Sequence, residues 1–289
     1  MKNQAVRMKS ARGRKKPGSR RTKLPGTKGK LSASAPVRLT LQNSASAVVS
    51  ASDEAGTLGG VLKELSRLPL QEIVVVLNGC RDNSYEIARK FPAVTIVHEP
   101  DRVGHDVGRA IGAELTTSDI VLFTDGDIVI KAERLVPFLS AVDRGVDMAL
   151  NNLTSYIPAF PDQDDVTRMK TYLNSVLDRS DLAANSLVAI PHALSSRCIR
   201  EVGYQSLMVP PVAQMLACTK GMKVEAVSKV NVITGNRLRK DNTGKGNDVE
   251  RMIIGDHIEA LSKYLEARTG RGEPSSQYRV AVASWRNAP

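Results

Sequence analysis

The sequence predicts an α/β protein with a mostly parallel, doubly wound central sheet and helices on both faces. Three observations predict it. Short β-rich runs alternate with stretches of helical period through residues 45–150. The run Ile73-Val74-Val75-Val76-Leu77 is apolar without a break, the pattern of a strand covered on both faces. Polar residues collect just after the strand runs, at the edge where such sheets bind ligands: Ser52-Asp53-Glu54, Asn78-Gly79 and Asp125-Gly126-Asp127.

Ala45–Ser50 reads as the first strand. A helix follows, in which Leu58, Val61, Leu62, Leu65 and Leu68 share a face. After the strand at 73–77, the polar stretch Asn78–Ser84 leads into a helix reaching about Phe91. Val94–Val97 and Ile120–Thr124 are strands, separated by a helix over 106–115; Lys131–Val142 is a helix and Val146–Leu150 a strand. Beyond 150 the pattern loosens. It predicts helices over 164–182, 195–202, 212–221 and 249–267, and strands over 186–190, 223–227 and 230–233. The domain is expected over 39–270, with a nucleotide-binding half (39–150), an acceptor half (151–270) and an extension at 271–289.

Charge separates a tail from this domain. Residues 1–36 carry twelve Lys or Arg and no acid, so from a formal total of +11 the remainder keeps about −1. A stretch this polar cannot bury enough surface to offset its ordering entropy, so residues 1–38 are expected to be a disordered basic tail. It reads either as a solubilising extension or as an arm for an anionic membrane or polymer surface. Without interleaved aromatics it does not suit base stacking. No run approaches the ~20 apolar residues of a membrane span, and Cys80, Cys198 and Cys218 lack the spacing of a disulfide framework or metal cluster. A cytosolic setting, peripheral to a membrane if the tail binds one, is expected.

Asp125-Gly126-Asp127 sets two carboxylates one residue apart at the end of a buried strand. Mg²⁺ and Mn²⁺ bind through a few carboxylates together with substrate phosphates, so the pair suits a divalent cation. Alone, an acidic turn is as readily a solvated surface.

Three further segments accompany it in order: Val48-Val49-Ser50-Ala51-Ser52-Asp53-Glu54-Ala55-Gly56-Thr57, then Glu72 to Ser84, then Gly104, Arg109 and Gly112. Together the four resemble the family-2 glycosyltransferases, which have the GT-A (nucleotide-diphospho-sugar transferase) fold. The resemblance implies transfer of a sugar from a nucleotide-diphosphate donor to a hydroxyl on a glycan, lipid or small molecule, with Mn²⁺ or Mg²⁺. It implies that Ser52 and Glu54 contact ribose or base, Asn78 reads the base edge, Arg109 faces the nucleotide, Asp125 contacts ribose or metal, and Asp127 is the main metal ligand. Of the pair Asp256-His257 on the last helix, His257 would be a further ligand, as in GT-A enzymes that bring a late histidine to the metal. Plainer readings stand beside these: Glu54 as an acid at a helix N-terminus, Asn78 in an Asn-Gly turn, Arg109 on a helix surface, and His257 as a structural histidine. His192 is a weaker candidate for the acceptor pocket, and the basic loop 237–246 for closure over the diphosphate.

The chain departs from the family at one point. Arg197 to Tyr204 resembles the segment bordering the acceptor, yet Met208-Val209-Pro210-Pro211 stands where the family carries an acidic pair. The catalytic base is therefore unassigned, and three explanations stay open. Asp162, Asp164 or Asp165 could supply it; a retaining reaction could let the leaving phosphate take the proton; or catalysis could be lost. Two rivals follow, a non-catalytic nucleotide-sugar-binding or scaffold protein and a sugar nucleotidyltransferase. The second is disfavoured by the acidic loop after the first strand.

Overall fold

The structure, a computed structural model, describes residues 35–232 and 247–269. Seven strands form one sheet: β1 (Ala45–Ala51), β2 (Glu72–Asn78), β3 (Val94–Glu99), β4 (Ile120–Asp125), β5 (Met148–Asn151), β6 (His192–Ser195) and β7 (Val224–Ser228), in the order β3-β2-β1-β4-β6-β5-β7. All pairs are parallel except those of β6, which runs antiparallel to β4 and β5. The helices are α1 (Leu58–Leu65), α2 (Ser84–Ala88), α3 (Val107–Leu115), α4 (Ala132–Asp143), α5 (Asp165–Val176), α6 (Ser196–Val202), α7 (Pro210–Thr219) and α8 (Asp248–Thr269).

Side chains alternate across each strand, and both faces are dry. Ala47, Val49, Val75 and Leu122 pack with Leu58, Leu62, Leu135 and Phe138 from α1 and α4. Val48, Val121, Phe123 and Met148 pack on the other face with Ala110, Cys198, Ala213 and Ala217 from α3, α6 and α7. At Gly112 a Cβ would meet Val48 Cγ1 at 2.3 Å, so α3 rests on β1 because glycine stands there. A third cluster joins α5, α7 and α8 through Leu173, Val212, Met215, Ala260 and Tyr264.

The first half follows the sequence pattern, and the second departs from it in four places. The expected helix over 164–182 stops at Val176 and resumes as a 3₁₀ turn, Ser180–Leu182, after Asp178 at φ 57°. The expected strand at 186–190 is a buried loop, and the strand lies just beyond it as β6. Val230–Val232 form no strand; Val230 donates its N–H to Asn151 Oδ1 at 2.9 Å. The helix expected from Val212 begins two residues earlier, on Pro210-Pro211, as proline's missing N–H permits in a first turn. At the domain's start, Val37 donates to the Arg67 carbonyl and Arg67 Nε to that of Ala35. Residues 35–38 thus belong with the domain rather than the tail. The remainder of that tail, the loop 237–246 and the extension 271–289 lie outside the described residues. Among those described, no helix is long and apolar enough to cross a membrane.

Candidate functional site

A cavity of about 330 Å³ opens at the carboxyl ends of β1, β2 and β4. Ser50, Ser52 and Glu54 line it from β1 and the following loop, Asn78 from β2, and Asp125, Gly126 and Asp127 from β4. Arg102, His105, Asp106 and Arg109 enter from the loop before α3 and its first turns. Val188 closes one wall, and Val249, Met252, Ile253 and Asp256 of α8 lie across the mouth. The structure therefore brings together Ser52, Glu54, Asn78, Arg109, Asp125 and Asp127.

The acidic turn is fixed from β1. Gly126 donates its N–H to the Ser50 carbonyl at 2.8 Å, and its carbonyl accepts from Thr57 Oγ1 at 2.7 Å. The next loop is locked too: Asp53, at φ 58°, accepts from Arg81 N–H at 2.7 Å, and Asp82 accepts from the Ala55 and Ser84 N–H groups. Asp53, Cys80 and Asp82 offer ligand atoms within 4.8 Å of one another. Their carboxylates are engaged by backbone, however, and burial pushes the Cys80 thiol up, away from the thiolate a metal would need. This cluster clasps two loops together.

Three of the candidate residues have surroundings that the sequence did not show. Asn78 donates from Nδ2 to the Gly104 carbonyl (2.6 Å) and accepts at Oδ1 from Val103 N–H (2.9 Å), so its amide pins the loop carrying Arg102, His105 and Asp106. Gly79, at φ 63°, completes that turn where a Cβ would strike Arg102. Arg109 is buried, not a surface residue: it pairs with Asp106 at 3.0 Å and Asp125 at 3.8 Å. His257 does not line the cavity. Its ring is fully buried, with Nδ1 donating to the Ile253 carbonyl at 2.6 Å, and burial lowers its pKa to about 4. One helical step of about 100° separates it from Asp256, which does face the site.

The other candidates fall elsewhere. His192 is stacked on Phe123 in the core, and burial, followed by the charge of Arg109, lowers its pKa to about 3, which keeps it neutral. Asp162, Asp164 and Asp165 lie outside the cavity; Asp164 caps α5 through Thr167 N–H, and Asp165 pairs with Arg168. At the start of α7, Pro210 and Pro211 are buried and bring no carboxylate.

Acid therefore crowds this cavity. Burial, and next the nearby Asp127 and Asp106, raise the Asp125 pKa to about 6 against the opposing pull of Arg109. Asp256 is likewise raised to about 6, by burial and then by Asp106 and Glu259. Such mutual repulsion among hard oxygen donors suits a divalent cation. The hydroxyls of Ser50 and Ser52 are buried with no partner among the described residues, leaving donors free for a polar ligand. Sequence reading missed Asp106, and of the pair Asp256-His257 it gave the role to the histidine. Asp106 was detectable as an i,i+3 partner of Arg109; choosing Asp256 needed the rotational phase of α8.

Comparison with known proteins places this geometry. Glucosyl-3-phosphoglycerate synthase from Mycobacterium tuberculosis, solved with Mn²⁺, uridine diphosphate and phosphoglyceric acid, superposes with a TM-score of 0.56 at 17% identity, covering 81% of each chain. The same enzyme with Mg²⁺ and uridine diphosphate gives 0.58 at 17%, over 76% of this chain and 80% of that one. With phosphoglyceric acid it gives 0.58 at 18%, over 81% and 82%. At such identities the likeness establishes the fold. Sequence comparison with curated proteins yields no match. The family model "Glycosyl transferase family 2" matches residues 46–197, more than half of the chain and every strand from β1 to β6. With the acidic turn, the β1 loop and the strands that frame the cavity all inside that match, the chain belongs to glycosyl transferase family 2.

Proposed function

We propose that the protein transfers a sugar from a nucleotide-diphosphate donor to a hydroxyl acceptor, using a divalent cation bound at Asp127 and Asp125. The observation that carries this reading is the acid-rich cavity at the sheet's carboxyl edge, where two buried serine hydroxyls have no partner among the described residues beside the acidic turn. Ser52 and Glu54 line this cavity and would contact the ribose or base, and Arg102 and Arg109 would supply positive charge toward the diphosphate. A bound Mn²⁺ or Mg²⁺ would neutralise the diphosphate as it leaves. Neighbours of the same fold were solved with uridine diphosphate and either metal, which supports this donor class.

Among the described lining acids, Asp256 has no ion-pair partner, and its pKa of about 6 suits a proton acceptor at neutral pH. We assign it the acceptor hydroxyl's proton, in place of the absent acidic pair. A binding-only role would keep the same cavity, so turnover separates the two. In a thermal-shift screen of nucleotide-sugars with Mn²⁺, a ligand at a hundredfold over Kd should stabilise the wild type by ~2.7 kcal/mol. Asp127→Ala should lose that response while keeping its metal-free transition. Equal responses from both proteins reject the site.

A further inference from the structure

Ala183–Pro191 passes through the interior without joining the sheet, and five side chains serve its backbone. Asn174 Nδ2 donates to the carbonyls of Ala183 (2.8 Å) and Asn185 (3.0 Å). Gln214 Oε1 accepts from Leu187 N–H (2.8 Å). Arg109 donates to the carbonyls of Leu187 (3.3 Å) and Val188 (3.4 Å), His192 Nδ1 to that of Ala189 (3.0 Å), and Asn151 Nδ2 to that of Ile190 (2.8 Å). Gln214 and Asn174 are themselves joined, Nε2 to Oδ1, at 2.8 Å, and both are almost wholly buried. An amide left unmatched at that depth costs about 1–3 kcal/mol, so the array holds as a set.

The array reaches the cavity at two points, Val188 in its wall and Arg109, the cation paired with Asp125 among the described residues. We propose that Gln214 is a positioning residue for the donor cavity: by holding Leu187, it fixes the two carbonyls that seat the Arg109 guanidinium beside Asp125. Helix α7 thus acts on the site through an amide in its second turn, while its first turn is built on prolines. This inference rests on the reading that the cavity takes a nucleoside diphosphate with a cation.

Gln214→Met keeps the length and apolar bulk of the side chain and removes its bonds to Leu187 and Asn174. Gln214→Leu removes the same bonds with a smaller apolar side chain, and it serves if the first variant does not fold. Amide hydrogen exchange over 183–191 is measured without nucleotide, and Kd for uridine diphosphate and guanosine diphosphate with Mn²⁺ by calorimetry. Exchange in the segment should quicken about tenfold and Kd rise about tenfold. Because Gln214 acts through Arg109, Gln214→Met/Arg109→Gln should bind no more weakly than Arg109→Gln alone. Unchanged exchange, unchanged Kd or additive losses overturn the proposal. A wild type that binds neither diphosphate rejects the donor-site reading and this inference with it; equal binding by wild type and variant rejects this inference alone.

Discussion

Two groups of carboxylates in this protein, one buried and one half-buried, sit in opposite electrostatic regimes. Glu64 lies between α1 and α4, where it accepts from Ala132 N–H at 3.1 Å, Lys131 at 3.2 Å and Arg67 at 2.5 Å; Arg67 also pairs with Glu133. Burial alone would raise its pKa, but the bonds from Ala132, Arg67 and Lys131 hold the carboxyl below its ordinary range. Asp125 and Asp256 are raised instead, first by burial and then by the neighbouring acids, which outnumber the two arginines lining the cavity. Glu64 caps the start of α4 from a neighbouring helix, so its charge is matched within the fold. The acids lining the cavity at the sheet's carboxyl edge repel one another instead, an arrangement that a divalent cation would relieve.

That contrast is open to breakage, and Glu64 gives the largest effect. Glu64→Ala removes one of the two carboxylates that hold Arg67 and uncaps α4, and should cost about 2–3 kcal/mol in urea unfolding. Since the folded pKa is depressed, the wild-type contribution is fully present above the unfolded value of about 4.3 and fades as pH falls through the folded one. A loss below about 1 kcal/mol would mean that the pairing is ornamental.

The buried histidines come next. His192 and His257 have folded pKa values of about 3 and about 4, below the unfolded value of about 6.5. As pH falls below about 6.5 the unfolded chain takes up protons that the native state refuses, so stability drops. Each contributes a loss on the order of 2 kcal/mol between about pH 6.5 and pH 5, and His192→Gln or His257→Gln should flatten the acid limb of a stability–pH curve. A limb of unchanged slope in both variants would show that the rings protonate in place.

The smallest effect has the opposite sign. Asp125 is raised in the fold, so its penalty is absent below the unfolded pKa and grows as pH rises through about 6. Asp125→Asn should therefore stabilise the metal-free protein at about pH 7.5. Its side chain is 34% exposed, and solvent screening holds the gain to on the order of 1 kcal/mol. The same variant should lose its response to nucleotide with Mn²⁺. A variant less stable than wild type would move Asp125 into the class of Glu64.

The pattern through residues 45–151 was readable because its strands are local and, β3 at the sheet edge aside, covered on both faces. An unbroken run such as Ile73–Leu77 has few alternatives to a buried strand. The turns after these strands declare themselves by composition, which is why Asp125-Gly126-Asp127 could be placed before any coordinates. β6 was not readable. His192–Ser195 is short, follows Pro191, and gains its partners only from β4 and β5, which precede it by more than forty residues. Asn78 shows the limit within the readable half: its position at the strand end follows from sequence, but Gly104 and Val103, which take up its amide, are distant in the chain.

By itself the sequence determined the alternation of strands and helices, the acidic turn at the end of β4 and the family, since each depends on residues close together in the chain. Tertiary structure alone decided that Asp256 rather than His257 faces the cavity, that Arg109 is buried against Asp125, and that Gln214 reaches the loop carrying Val188. The reason is physical. Local pattern reports which residue types meet solvent or core, whereas the charge and the hydrogen-bond partners of a buried group depend on which remote segments packing brings beside it.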